Sequence, residues 1–155
     1  MELRRAIVLS SEVVEKIRDC CKKIKVCGSI RRRKVIVNDI DIVCIPNSYR
    51  ELLRRVESFA ERFLAKGTKV IRFIYKNEQI DLYIANDFNF EVLVLIRTGS
   101  RVFNVELIKR AKKLGYKFTM NKGLVKGEEV INKEREIIEK VFGYYIKPED
   151  RSWGK

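Results

Sequence analysis

A chain of 155 residues with 46% hydrophobic content can bury one compact core, or two small subdomains that share one, which excludes an extended disordered polypeptide. Its 34 Lys and Arg against 21 Asp and Glu leave a formal charge of +13, a field suited to polyanions such as nucleic acid. No apolar run approaches the roughly 18 to 20 residues that span a bilayer and residues 1–10 lack a signal-peptide pattern, which argues against a membrane protein.

In chain order, Ser10 or Ser11 is expected to cap a first helix carrying Val13, Val14 and Ile17, and "KIKVC" alternates like a short strand running into Gly28. In "NDIDIVCIP", Asp39, Asp41 and Val43 fall on one face of a strand and Ile40, Ile42 and Cys44 on the other, with Pro46 closing it. The clearest helical stripe is Leu52, Leu53, Val56, Phe59, Ala60, Phe63 and Leu64, between a Ser48 cap and Gly67. Alternating runs "TKVIRFIYK" and "QIDLYIA" then form an expected hairpin about Asn77 and Glu78, followed by the hydrophobic run "FEVLVLI". Residues 100–114 read as a helix with Phe103, Leu107, Ala111 and Leu114 inward. Its exterior carries Arg101, Lys109, Arg110, Lys112 and Lys113. A last helix after Asn132 should bury Ile137, Ile138, Val141 and Phe142 and stop at Gly143. The character changes near residues 97–99, so the expected organisation is a mixed α+β subdomain over 1–97 and a small, mainly helical subdomain over 98–155. Cys20, Cys21, Cys27 and Cys44 show no CxxC spacing and no histidine accompanies them. They read as small core or surface residues of an intracellular protein.

The stretch "VCGSIRRRKVIVNDIDIVCIP" carries the chemistry. Carboxylates at i and i+2 of a strand lie about 6.6 to 7 Å apart at Cα, close enough to converge on divalent cations about 3.5 to 4 Å apart. Two solvated acids at a sheet edge would look the same. The Gly28-Ser29 turn separates the readings, because glycine lets backbone amides approach an anion, Ser29 offers a hydroxyl, and Arg31 or Arg32 can fork onto phosphate oxygens. Asp81 in "QIDLYIA" is the best third carboxylate for a two-metal clamp.

These residues resemble the palm signature of family X DNA polymerases, in which a Gly-Ser-x-Arg-Arg element precedes an Asp-x-Asp pair. "QIDLYIA" resembles the strand of the family's third aspartate. "TGSRVFN", residues 98–104, resembles the turn and Phe-Asn of its nucleotide-binding thumb, and "EREIIEKVFGYYIKPEDR" resembles its closing helix and Pro-x-Asp-Arg tail. The resemblance implies a palm with a mixed sheet flanked by helices, followed by a thumb, in a minimal form similar to a very short viral member, with no lyase or helix-hairpin-helix domain. It implies that Asp39, Asp41 and Asp81 are catalytic and hold two Mg2+ ions, with Mn2+ able to substitute, and that Asp81 takes the proton of the primer 3′-hydroxyl. Gly28, Ser29, Arg32, Thr98, Gly99 and Asn104 would bind the nucleotide: Ser29 and Arg32 the triphosphate, Gly99 the sugar, Asn104 the base edge. Arg101, Lys109, Arg110, Lys112 and Lys113 would meet DNA. The implied partners are a primer-template or gapped duplex and nucleoside triphosphates, with the protein a monomer in cytoplasm or nucleoid, or virus-encoded.

Four positions depart from the family pattern. Arg33 replaces a usual glycine, Gln79 a common arginine, Ile96-Arg97 an aromatic pair, and Ile108 a template-contacting arginine. The change at Ile96-Arg97 leads to the expectation of weaker discrimination against ribonucleotides. The first functional reading is templated synthesis in short DNA gaps. An untemplated nucleotidyltransferase acting on a small molecule, a protein or an RNA end comes second, and a non-catalytic nucleic-acid-binding module third.

Overall fold

The computed structural model describes residues 1–154. Helix α1 (Leu3–Ile17) buries Ala6, Leu9, Val13 and Ile17 at helical spacing. It begins well before the expected Ser10 or Ser11 cap. The Leu3 amide donates to Val35 O at 3.1 Å, and Ser10 is a buried mid-helix residue whose hydroxyl donates to Ile7 O. Strand β1 (Cys21–Val26) leads to a single helical turn, α2 (Gly28–Arg31), and then to β2 (Ile40–Pro46). In the intervening loop Arg33 has φ 61, a left-handed conformation that glycine adopts without strain.

Helix α3 (Tyr49–Glu57) has the expected Ser48 cap, whose hydroxyl oxygen accepts from the Glu51 amide. The helix is shorter than its apolar stripe suggests. Ser58 turns its hydroxyl back to Arg55 O, and Phe63 and Leu64 belong to strand β3 (Arg62–Lys66), which pairs with β4 (Val70–Tyr75). Aromatic and apolar residues over 59–64 satisfy either period, and pairing with β4 decides between them. Strand β5 (Glu78–Ile84) follows a two-residue turn at Lys76-Asn77, both with positive φ. The turn lies one residue earlier than expected.

These strands form a sheet in the order β1-β2-β5-β4-β3, in which β2 and β5 run parallel and the other neighbours antiparallel. One face buries Ile40, Ile42, Ile80 and Leu82 beneath α1 and α3. The other carries Val43, Ile45, Tyr83 and Ala85 against Leu93 and Val94. Those two residues lie on helix α4 (Phe90–Thr98), the fold adopted by the run "FEVLVLI", whose opposite side gives Val92 and Leu95 to a second core. Helix α4 therefore serves both cores, which fixes how the two bodies sit together.

The second core is closed by α5 (Arg101–Lys113), capped by the Ser100 hydroxyl, and by α6 (Glu134–Phe142), which ends at Gly143 in the left-handed region. Phe103, Leu107 and Ala111 are buried as expected, whereas Leu114 is exposed, because it follows the helix and caps it through its backbone. A small sheet, β6 (Lys117–Thr119), β7 (Gly123–Lys126) and β8 (Glu129–Ile131), joins the helices. The C-terminal body is thus less helical than its sequence suggests, since strands of three or four residues are too short to show a period. All four cysteines are free, with Cys20, Cys27 and Cys44 buried. Among the described residues no helix is long and apolar enough to cross a membrane.

Candidate active site

Parallel pairing of β2 with β5 sets Asp41 directly opposite Asp81, while Asp39 occupies the bend that enters β2. Three carboxylates are thereby brought to one end of one strand pair. Burial, followed by repulsion from Asp81 and Asp39, pushes the Asp41 carboxyl up to about 7. Asp39 is raised by the same causes, burial first and then Asp81. Gly28 (φ +62) lies against this pair, and a Cβ there would collide with Asp41 Oδ2. Only a bare Cα leaves that oxygen its place.

Asp81 is held differently. It is 5% exposed, and its Oδ1 accepts from Arg72 Nε at 2.8 Å and from Gln79 Nε2 at 3.0 Å. Arg72 stands opposite Asp81 across the β4-β5 ladder. Among the described residues no group of three or more carboxylate, thiol or imidazole side chains is gathered as a ready metal cage. Arg72 and Gln79 engage Asp81 Oδ1, and the Tyr83 hydroxyl lies 3.5 Å from Oδ2. The donor set still suits divalent cations, since crowded carboxylate oxygens are hard ligands and Asp41 lacks a cation of its own.

A cleft of about 340 Å³ opens over Asp39 and Asp41, lined also by Ser29, Arg32 and Lys34 and by Ser100, Ser152 and Trp153. The two adjacent arginines have separate tasks. Arg31 turns inward, forking onto Glu134 at 2.6 and 2.8 Å and donating to Thr98 Oγ1 at 2.8 Å. Glu134 also accepts from the fully buried Arg151 at 2.7 Å. Burial alone would raise the Glu134 carboxyl, but the hydrogen bond from Arg31 and the charges of both arginines hold it below its usual range. Arg32 faces the cleft: Nη1 donates to Thr98 O at 2.6 Å, Nε donates to Ser152 Oγ at 3.0 Å, and Nη2 has no hydrogen bond among the described residues. Gly99 (φ +71) packs beside this guanidinium, where a Cβ would lie 3.1 Å from Nη1.

Residues 93–152 match the DNA polymerase beta thumb family. The chain is similar to the crystal structure of Leishmania infantum polymerase beta in a ternary P/T complex, with a TM-score of 0.85 at 19% sequence identity, over 98% of this chain and 76% of that one. The chain shares the fold of that polymerase. No curated protein matches the chain. The sheet and its carboxylates form the palm, α5, α6 and the small sheet form the thumb, and Arg31, Glu134 and Arg151 tie one to the other.

Within this palm and thumb, Ser29, Arg32, Asp39 and Asp41 line the cleft, while Gly28 packs against Asp41, Gly99 beside Arg32, and Asp81 pairs across from Asp41. Thr98 does not reach it. Its side chain is fully buried, and its hydroxyl donates to Val94 O while accepting from Arg31. Asn104 donates Nδ2 to Ile96 O at 2.9 Å, which leaves Oδ1 buried without a partner. Arg97 is not a loose cation, because its guanidinium stacks 4.1 Å from the Tyr83 ring centroid. Lys109, Lys112 and Lys113 are exposed on α5, and so are Arg101 and Arg110, the latter paired with Glu106 at 2.8 Å. Sequence reasoning passed over Arg72, Asn38, Ser100, Ser152 and Trp153. Arg72 had a signal in its place on the strand that pairs with that of Asp81, and Ser100 in its turn motif.

Proposed function

We propose that this protein is a DNA polymerase that adds nucleotides to a primer 3′-hydroxyl, with filling of short repair gaps as its task. The observation that carries the reading is the register that sets Asp41 opposite Asp81, beside Asp39 and under a cleft walled by Ser29, Arg32 and Lys34. The thumb match over residues 93–152 favours templated synthesis over an untemplated nucleotidyltransferase, which could share the palm without needing that thumb.

In this reading Asp39 and Asp41 with Asp81 would hold magnesium, or manganese in its place. Bound there, the metal would neutralise phosphoryl charge and lower the pKa of the attacking hydroxyl. The Ser29 hydroxyl and the unengaged Nη2 of Arg32 bind phosphate oxygens, with Lys34 adding a point charge. Asp81, kept in place by Arg72 and Gln79 on Oδ1, presents Oδ2, which the Tyr83 hydroxyl reaches only at 3.5 Å, to accept the proton of the primer hydroxyl. Exposed cations on α5 supply sequence-independent affinity for duplex phosphates.

Primer extension tests the reading. Incubation with a gapped duplex, magnesium and deoxynucleoside triphosphates should give products whose order follows the template. Additions that ignore the template would favour the untemplated alternative, and DNA binding without any addition would favour a non-catalytic module.

A further inference from the structure

Two cleft residues, Ser152 and Trp153, come from a segment far in sequence from the carboxylates, and the structure ties that segment to the phosphate side of the cleft. Ser152 Oγ accepts from Arg32 Nε at 3.0 Å. The Trp153 amide donates to Ser100 Oγ at 3.1 Å, and the Ser100 hydroxyl lies 3.1 Å from Trp153 O. The segment is thus clipped to the Gly99-Ser100 turn from one side and to Arg32 from the other.

The indole is fixed as well. It packs edge-on to Phe103 at 4.8 Å and to Phe142 at 5.7 Å, and Nε1 donates to Asp150 O at 2.7 Å. Its remaining surface is half-exposed and borders the cleft. Most of that lining is polar or charged, and Ile36 is the other apolar side chain that borders it. Arg32, Ser29 and Lys34 already account for a phosphate chain, and Asp39 and Asp41 for cations. A flat apolar wall has no use for either, and it matches the part of a nucleotide that is left, the sugar and base.

We propose that Ser152 and Trp153 complete the nucleotide site, Ser152 as the positioning residue that aims Arg32 at the triphosphate and Trp153 as the wall that contacts the nucleoside. The inference rests on the functional reading above. It adds a specificity element outside the palm, because a ligand with the same phosphates and no nucleoside would miss the indole.

Trp153 is the single tryptophan of the chain, so the native protein reports on itself. Its emission should change saturably on titration with magnesium and a deoxynucleoside triphosphate, at the concentrations where equilibrium dialysis registers binding. Magnesium tripolyphosphate should bind with much less change. Trp153→Ala should weaken nucleotide binding about tenfold and tripolyphosphate binding less than about twofold. Ser152→Ala should weaken both about three- to tenfold, and Ser152→Thr should restore them. Dialysis that shows nucleotide bound while Trp153 emission stays silent, or an equal response to tripolyphosphate, overturns this inference and leaves the functional reading standing. Dialysis that shows no binding of either ligand overturns the functional reading and this inference with it.

Discussion

Two clusters of charge, one reached by Arg31 at the end of α2 and the other overhung by Arg32 just after it, are built on opposite terms. Arg31, Glu134 and Arg151 form a closed set in which the carboxylate accepts from both guanidiniums and Arg151 also reaches Ile146 O. Asp39, Asp41 and Asp81 crowd three like charges, and Arg72 is the one cation hydrogen-bonded to any of them among the described residues. Neighbours in sequence serve both, since Arg31 joins the first cluster and Arg32 leans over the second. The difference separates a fastening from a site. A satisfied cluster holds palm and thumb together and needs nothing further, while a frustrated one is kept at a cost to the fold and is relieved by a ligand of opposite charge.

The largest expected effect comes from removing that frustration. Asp41→Asn should reduce nucleotide addition about a thousandfold or more, because it deletes a ligand central to the cluster. The same variant should melt higher than the native chain in metal-free neutral buffer, since it relieves repulsion from Asp39 and Asp81. Thermal melts and single-turnover extension measured side by side check both, and a lower melting temperature would break the comparison.

Glu134→Gln attacks the satisfied cluster and should act in the opposite sense. It leaves Arg31 and Arg151 buried without their counter-charge, a loss of about 3 to 5 kcal/mol. Denaturant unfolding should show it. Weaker nucleotide addition should follow from a loosened thumb even at temperatures where the variant is folded.

Charges that are neither balanced nor crowded should matter to the fold least. Replacing Lys109, Lys112 and Lys113 together by Gln should leave the melting temperature nearly unchanged. The salt dependence of duplex binding should flatten, its slope falling by about 0.9 for each DNA phosphate that the variant no longer neutralises. An unaltered slope would show that the duplex lies on another surface.

Acidity sharpens the contrast with the gentlest perturbation. Asp41 has a folded value near 7 against roughly 3.9 in an unfolded chain. The folded state therefore binds the extra proton between these limits, and this contribution to stability is full below the lower one and is lost as pH rises through about 7. Glu134 is held low. Its contribution is present above roughly 4.3 and is lost as pH falls below it. Melting temperatures of the metal-free protein should decline from about pH 5 to pH 7.5, and saturating magnesium should remove the decline. A decline that persists with magnesium, or one that survives in Asp41→Asn, would assign it to other groups.

What the sequence determined by itself was the set of residues that could do chemistry and the elements with strong local signatures. Gly28, Ser29, Asp39, Asp41 and Asp81 stand out because strand alternation and turn chemistry are properties of adjacent residues, and the Ser48 cap and the α5 stripe are legible for the same reason. Pairing between distant segments decided the rest. A turn at Lys76-Asn77 pairs Tyr75 with Glu78 and so Arg72 with Asp81. A turn one residue later would have paired Lys76 with Gln79 and set Arg72 opposite Tyr83. One residue in a hairpin thus decides which cation supports the third carboxylate, because each position added to the turn sum moves every cross-strand partner. Likewise local pattern does not separate Arg31 from Arg32; the family resemblance points to Arg32 for the phosphates, and Glu134, 103 positions from Arg31, and Ser152, 120 positions from Arg32, give the physical distinction. Such pairings exist once the cores have closed, so no local pattern can carry them.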